Sequence, residues 1–139
     1  QLRTQYSVKA LTDAGMEVKE LDLQRGDWDQ NKGQEICQND LTKYGAEVEV
    51  VFCNNDAMAL GALQAIEAAN RVVGVDALSD ALTQVKAGKM TGTVLNDAAS
   101  QAAKAIEVME MLLNGQAVEK QYYVDYVKVT QTNVDEFMN

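Results

Sequence analysis

Hydrophobic and polar positions along the chain follow two alternating periodicities. Segments with apolar residues at every third or fourth position are typical of helices, and short β-branched runs between them are typical of strands. The helical pattern occurs over residues 4–14, 29–44, 55–69, 79–87 and 97–113, with a last turn at 133–138. The strand pattern occurs over residues 16–23, 48–53, 72–75, 90–95 and 122–129.

This alternation predicts an α/β fold in which helices flank a parallel sheet. Strands that alternate with helices of this length form βαβ units, and such units place their strands parallel to one another. In parallel sheets, ligands bind beyond the carboxyl ends of the strands. The residues that follow each predicted strand are therefore the first candidates for chemistry.

Short polar side chains follow three of the predicted strands. Asn55 closely follows the run VEVVFC, Asp76 follows VVGV, and Asn96 follows TGTVL. Each of these residue types commonly caps the next helix, and capping alone is the simpler interpretation of any one of them. Three on one edge of a sheet favour ligand contact as much as capping, because amides and carboxylates can hydrogen-bond to neighbouring hydroxyls.

Two residues outside the strand ends are further candidates. Trp28, the only tryptophan, lies in a loop of glycine and aspartate without apolar neighbours. A single tryptophan is most often a core residue, but a loop position between charges favours a platform for the C–H face of a sugar. Arg3 lies at the start of a predicted helix, where the helix dipole disfavours a cation, and this is weak evidence for a functional role.

Composition and charge exclude several classes of function. The length of 139 residues suits one domain, 47% apolar residues suit a folded core, and the net charge of −9 disfavours nucleic acid as a partner. Histidine is absent, which removes Ser-His and Cys-His nucleophile arrangements. No phosphate loop, dinucleotide motif, hydrolase elbow or CxxC motif occurs. No apolar run approaches the roughly 20 residues that span a bilayer.

The two cysteines, Cys37 and Cys53, are too few for a disulfide scaffold or a structural zinc site. Cys37 falls on an apolar helix stripe and Cys53 ends a strand, so both are expected to pack as small hydrophobic residues. We predict that both are buried and unpaired.

Motifs spread over the chain carry a resemblance to a known family. The segment NNDAMALGAL at residues 54–63 resembles the type I periplasmic binding proteins and the effector domains of lac-repressor-type regulators. Further segments resemble the galactose/glucose-binding members of the first family, namely RTQY at 3–6, WD at 28–29, GVDAL at 74–78, GTVLNDA at 92–98 and the tail at 127–137. The resemblance runs in order over nearly the whole chain.

The resemblance implies a two-lobed fold with a sugar held in the cleft between the lobes. Residues 1–95 would belong mostly to the C-terminal lobe, and residues 96–139 would cross to the other lobe and back. Trp28 would be the stacking wall of a sugar site made by Arg3, Trp28, Asn55, Asp76 and Asn96. Glu49 would supply one ligand to a calcium ion whose other ligands lie upstream of Gln1.

The resemblance further implies a binding protein rather than an enzyme. The expected function is the solute-binding component of an ABC importer for galactose or glucose, in the periplasm or outside the cell, with lipoprotein anchoring as one form. The expected partners are the monosaccharide, the membrane permease and a chemotaxis receptor. The alternatives are the sugar-sensing domain of a lac-repressor-type regulator and a sugar-modifying enzyme, although glycosidases need two facing carboxylates and only Asp76 is placed at the rim.

The chain departs from the resembled family in two respects. The family's proteins are longer by a whole lobe, and they have a longer connection where this chain passes from Asn70 to the strand at 72–75. Helix-to-strand loops usually take about 2 to 6 residues. We therefore expect a fragment of a two-lobed protein, with a short segment absent after Asn70.

Overall fold

A computed structural model describes residues 2–66 and 71–138. Its helices are α1 (Leu2–Asp13), α2 (Gln30–Tyr44), α3 (Asp56–Ala65), α4 (Ser79–Lys86) and α5 (Ala98–Leu113), with 3₁₀ turns at Gly45–Glu47 and Val134–Phe137. Its strands are β1 (Val51–Phe52), β2 (Val72–Val73), β3 (Thr93–Leu95) and β4 (Val127–Val129). The predicted helical residues 67–69 and the connection after Asn70 lie outside the described residues.

The strands form a short, mostly parallel arrangement. β1 pairs with β2 in parallel, with Val51 opposite Val72. Two parallel bridges, Val73 to Gly92 and Asp76 to Leu95, join the β2 side to β3, and β4 pairs with β3 antiparallel. The predicted α/β class with parallel strands is confirmed, and β1, β2 and β3 direct their carboxyl ends to the same edge.

The predicted strand over residues 16–23 is wrong, and Val18 does not join the sheet. Its apolar and charged residues alternate as a strand requires, but Val18 and Leu21 are only half-buried. Lys19 pairs instead with Glu47 through their side chains, at 2.6 Å. A strand needs a neighbouring ladder to satisfy its backbone, and the alternation alone does not supply one. The other predicted strands form, over shorter ranges.

Most helix boundaries follow from local caps. The side chains of Asp29, Asn55 and Asp97 each accept a hydrogen bond from a backbone N–H in the first turn of the helix that follows. α4 differs, because it has no side-chain cap and Ser79 is its first helical residue. The preceding residue, Leu78, donates its N–H to the carboxylate of Asp56 at 2.8 Å.

α3 is the centre of the core, with α2, α4 and the sheet packed around it. On α3 the fully buried apolar side chains are Ala59 and Ala62, while the larger Met58 and Leu63 are half-buried. The buried apolar cluster comprises Cys37, Ala59, Ala62, Ile66, Val72, Ala81, Leu82, Val85, Met90, Val129 and Val134. Small residues therefore set the close approach of α3 to its neighbours.

α5 has no buried residue, although its sequence is strongly amphipathic. Ile106, Met109 and Leu112 are each more than half exposed, and Tyr123 and Tyr126 in the following segment are exposed as well. Large exposed apolar surfaces on folded proteins often mark interaction sites. No helix among the described residues combines the length and apolar composition that crossing a bilayer requires.

Both thiols are unpaired, as predicted. Cys37 is buried, whereas Cys53 is half-buried, which corrects the expectation of full burial. Burial raises the pKa of the Cys37 thiol to about 11 and that of the Cys53 thiol to about 12. Desolvation disfavours the thiolate, so both groups stay neutral and unreactive at neutral pH.

We expect alkylation of both cysteines by iodoacetamide at pH 8.5 to be slow in the folded protein and fast in urea. The thiolate is the reactive form, and the folded state suppresses it. The raised pKa values also make stability depend on pH. Each neutral thiol contributes fully to the free energy of unfolding below about pH 9, and this contribution is lost as the pH rises through about 11 to 12. Mass spectrometry counts the modified thiols, and equally rapid labelling of the folded protein would contradict this prediction.

Candidate functional site

Arg3 connects the elements that form the candidate site. One guanidinium nitrogen, Nη1, donates to the carbonyl oxygen of Asn54 at 2.6 Å and lies 3.4 Å from Oδ1 of Asp76. The guanidinium carbon lies 5.9 Å from the centroid of the Trp28 ring, within cation–π range. The first turn of α1, the loop before α2 and the end of the β2 segment therefore meet at one place.

Asn55 is both a helix cap and a neighbour of Trp28. Its Oδ1 accepts from the N–H of Met58 at 3.0 Å, and its Nδ2 donates to the carbonyl oxygen of Trp28 at 3.3 Å. The adjacent Asn54 donates to the hydroxyl of Thr4 at 2.8 Å, which secures α1 against the end of β1. Helix capping and ligand contact are thus compatible for Asn55, because the cap uses only the side-chain oxygen.

Trp28 lies on the surface and not in the core. Its side chain is 61% exposed, and both Trp28 and Asp27 have left-handed backbone conformations, with φ of 66° and 48°. The turn is closed by the N–H of Asp29, which donates to the carbonyl oxygen of Gly26 at 2.9 Å. Lys32 hydrogen-bonds to Asp27 and so lowers the pKa of that carboxyl. The loop is therefore structured and presents an open indole face.

Asp76 lies in a strained turn directly after the β2 segment. Its φ is 125° and that of Ala77 is 59°, both unusual for residues with a side chain. The N–H of Asp76 donates to the carbonyl oxygen of Val94 at 2.8 Å, which fixes the turn against β3. The carboxylate is partly exposed and faces Arg3. Such strain collects at binding and catalytic sites.

Asn96 lies at the same edge of the sheet but is less closely joined to the others. It follows Leu95, the bridge partner of Asp76. Its Oδ1 accepts from Nε2 of Gln101 on α5 at 2.7 Å. The structure thus brings Arg3, Trp28, Asn55 and Asp76 into one connected group, with Asn96 beside it.

Glu49 is exposed and lies before β1. Across residues 2–66 and 71–138, no group of three or more His, Cys, Asp or Glu side chains is arranged to hold a metal ion. Calcium takes about 6 to 8 oxygen ligands. The role of Glu49 as a calcium ligand stays a prediction.

Asp56 is not among the candidate residues that the sequence pattern indicates, yet it lies against the site. Its side chain is fully buried, and its carboxylate accepts from the Thr93 hydroxyl at 2.7 Å and from the N–H of Leu78 at 2.8 Å. Burial raises the pKa of this carboxyl, while the bonds from Thr93 and Leu78 oppose the shift. The available signal was an acidic residue directly after Asn55 at the end of the same strand, which also fits an ordinary helix start.

A surface cavity of about 530 Å³ lies elsewhere, between α5 and residues 122–124. Its lining includes Lys104, Val108, Tyr122 and Tyr123, and none of the candidate site residues. We assign the site to the polar cluster around Asp76, because that cluster provides converging hydrogen-bonding groups and an aromatic face.

The fold and the convergent polar groups at one edge of the strands are those of a ligand-binding α/β lobe, and sequence comparison identifies the family. Residues 1–117 match the family described as periplasmic binding protein domain, and the chain belongs to this family. The chain is 30% identical to the D-galactose/methyl-galactoside binding periplasmic protein MglB of Haemophilus influenzae, over 99% of this chain and 46% of that protein.

Solved structures show the same relationship. An ABC transporter periplasmic solute binding protein of Actinobacillus succinogenes with bound D-allose matches 94% of this chain and 47% of its own, with a TM-score of 0.86 and 30% identity. An ABC transporter solute binding protein of Bacillus halodurans with bound myo-inositol matches 97% of this chain and 48% of its own, with a TM-score of 0.83 and 34% identity. The chain thus spans about half the length of the relatives it matches.

Proposed function

We propose that this chain is the sugar-binding half of the solute-binding component of an ABC importer, and that its ligand is galactose or glucose. The observation that carries the proposal is the convergence of Arg3, Trp28, Asn55 and Asp76 at the carboxyl edge of the parallel strands. The names of the relatives support a cyclic polyhydroxy ligand, and MglB supports galactose among the alternatives.

Each side chain has a distinct role in this proposal. The open face of Trp28 packs against the C–H face of the sugar ring, where the buried aromatic area contributes most. Asp76 accepts hydrogen bonds from sugar hydroxyls, and Arg3 donates to ring or hydroxyl oxygens. Asn55 and Asn96 supply further amide contacts. The 3.4 Å separation of Arg3 and Asp76 leaves both groups with capacity for a ligand.

The ligand is enclosed by a second lobe in this proposal. Residues 1–95 form most of one lobe, and residues 96–139 cross to the other lobe and return, with hinges after Leu95 and near β4. The exposed apolar face of α5 is consistent with a helix that packs on the second lobe. Closure of two lobes removes the sugar from water, which a single open edge cannot do.

The remaining parts of the proposal concern partners and location. The importer's membrane permease receives the sugar, a chemotaxis receptor is a second partner, and the protein acts in the periplasm or outside the cell, in one form as a lipoprotein. Calcium is bound in the complete protein by Glu49 together with ligands from outside residues 1–139. Enzymatic chemistry is disfavoured, because Asp56 is fully buried and Asp97 is engaged as the cap of α5.

Calorimetry on the complete two-lobed protein with galactose, glucose, ribose, D-allose and myo-inositol tests the proposal. We expect galactose or glucose to bind most tightly. Asp76→Asn should weaken that binding about fivefold to thirtyfold, because a charged acceptor bonds more strongly than an amide. Asp80→Asn on the exposed surface of α4 is the matched control and should bind as the wild type does.

Three results would overturn the proposal in different ways. Tightest binding of ribose, D-allose or myo-inositol would reassign the ligand. Absence of binding to every sugar would remove the function altogether. A sugar product that accumulates with time, and is lost in Asp76→Asn, would indicate an enzyme.

A further inference from the structure

The carboxylate of Asp56 is fully buried beside the Asp76–Ala77 turn, so it is not accessible to a ligand. It is the first residue of α3, and its own N–H donates to the carbonyl oxygen of Val75 at 2.8 Å. Its side chain accepts from the N–H of Leu78 at 2.8 Å. Asp56 therefore holds the chain on both sides of the turn formed by Asp76 and Ala77.

Thr93 completes the hold on this turn from β3. Its hydroxyl donates to Oδ1 of Asp56 at 2.7 Å, and its oxygen lies 3.4 Å from the N–H of Ala77. Thr93 is itself buried, so this hydroxyl is shielded from competing water. The hydroxyl and the carboxylate together accept from the backbone N–H groups of two consecutive residues, Ala77 and Leu78, directly after Asp76.

The chain also makes room for this carboxylate. A Cβ added at Gly74 would overlap Oδ1 of Asp56 and lie 3.1 Å from the Cβ of Ala59. Only glycine leaves that space at the end of β2. The φ values of 125° at Asp76 and 59° at Ala77 are unfavourable for residues with a side chain, and such conformations persist only where surrounding contacts enforce them.

We propose that Asp56 and Thr93 are positioning residues of the sugar site, whose hydrogen bonds hold the strained Asp76–Ala77 turn so that the Asp76 carboxylate is directed at the ligand. The inference rests on the proposed function, since it assigns a purpose to the direction of Asp76. Preorganisation of this kind raises affinity, because no free energy of binding is lost in ordering the turn when the sugar binds. Neither residue touches the sugar.

Binding of the best sugar to Thr93→Val in the complete protein is the first test. Valine keeps the shape of threonine but removes the hydroxyl, and we expect the Kd to rise about threefold to tenfold. Thr93→Ser restores the hydroxyl and should bind within about twofold of the wild type. Val85→Ala in the core of α4 lowers the melting temperature without touching the turn, and should leave the Kd unchanged.

A double-mutant cycle with Asp76→Ala separates positioning from general damage. If Thr93 acts through Asp76, Thr93→Val should have no further effect on the Kd once the Asp76 carboxylate is removed. An equal loss in both backgrounds would overturn the proposal, as would an unchanged Kd in Thr93→Val alone.

A measurement without sugar keeps the inference separate from the proposed function. Hydrogen exchange by NMR should show a Leu78 amide that is protected in the wild type and exchanges at least about tenfold faster in Asp56→Ala. The Leu82 amide donates to the carbonyl oxygen of Leu78 in the first turn of α4. It is the internal reference and should keep its protection. If no sugar binds but this change is seen, the proposed function fails while the hold on the turn stands. Unchanged exchange at Leu78 would overturn the inference whatever sugar binds.

Discussion

Trp28→Ala is expected to raise the Kd of the complete protein for its sugar about tenfold to hundredfold. The indole is 61% exposed without ligand and lies at the edge where the polar side chains converge. Covering one aromatic face with the C–H groups of a sugar contributes about 1 to 3 kcal/mol. The loss should exceed that of Asp76→Asn, since the ring supplies the largest apolar contact of the site.

Trp28→Phe is the matched variant, because it keeps an aromatic face and should lose far less affinity than alanine. Arg3 lies over the same ring, so the alanine variant also removes a cation–π contact. Indole fluorescence of the wild type should change on sugar addition, and this chain contributes a single tryptophan. Equal affinity of Trp28→Ala and the wild type would exclude the stacking role.

The features that the sequence predicts well are those determined within a few residues of the chain. Asn55 and Asp97 begin their helices because their side chains bond to backbone N–H groups three residues ahead. The common edge of Asn55, Asp76 and Asn96 follows from strand direction, which βαβ connectivity determines without any knowledge of packing. The position of these residues was therefore predictable, while their sugar contacts stay a prediction.

The features that the sequence does not predict depend on distant partners. The stretch at 16–23 has a strand pattern, but no ladder forms beside it. The left-handed backbone of Asp76 and Ala77 is held by Asp56 and Thr93, which lie far away in sequence. Residue type alone gave no sign of that strain, since neither residue is glycine. The turn that directs Asp76 is thus a property of tertiary contacts.

Gly61→Ala tests how the core supports the site, because α2 and α3 cross in close contact at two glycines. A Cβ at Gly61 would overlap the carbonyl oxygen of Gln30 and lie 2.9 Å from the backbone nitrogen of Gln34. A Cβ at Gly33 would meet the backbone of Met58 in the same way. These obstacles are backbone atoms, so no side-chain rotation can relieve the overlap.

We expect Gly61→Ala to lower the free energy of unfolding by about 3 kcal/mol, at the upper end for overpacking, although alanine is the better helix former. Gln30 begins α2 two residues after Trp28, so separating the helices should also displace the indole and weaken sugar binding. Urea unfolding and calorimetry measure the two effects. Gln64→Ala, at an exposed position on the same helix, is the control and should change neither. If Gly61→Ala is as stable as the wild type, the close crossing of α2 and α3 is contradicted. If stability is lost but sugar affinity is unchanged, the Trp28 loop is held independently of that crossing.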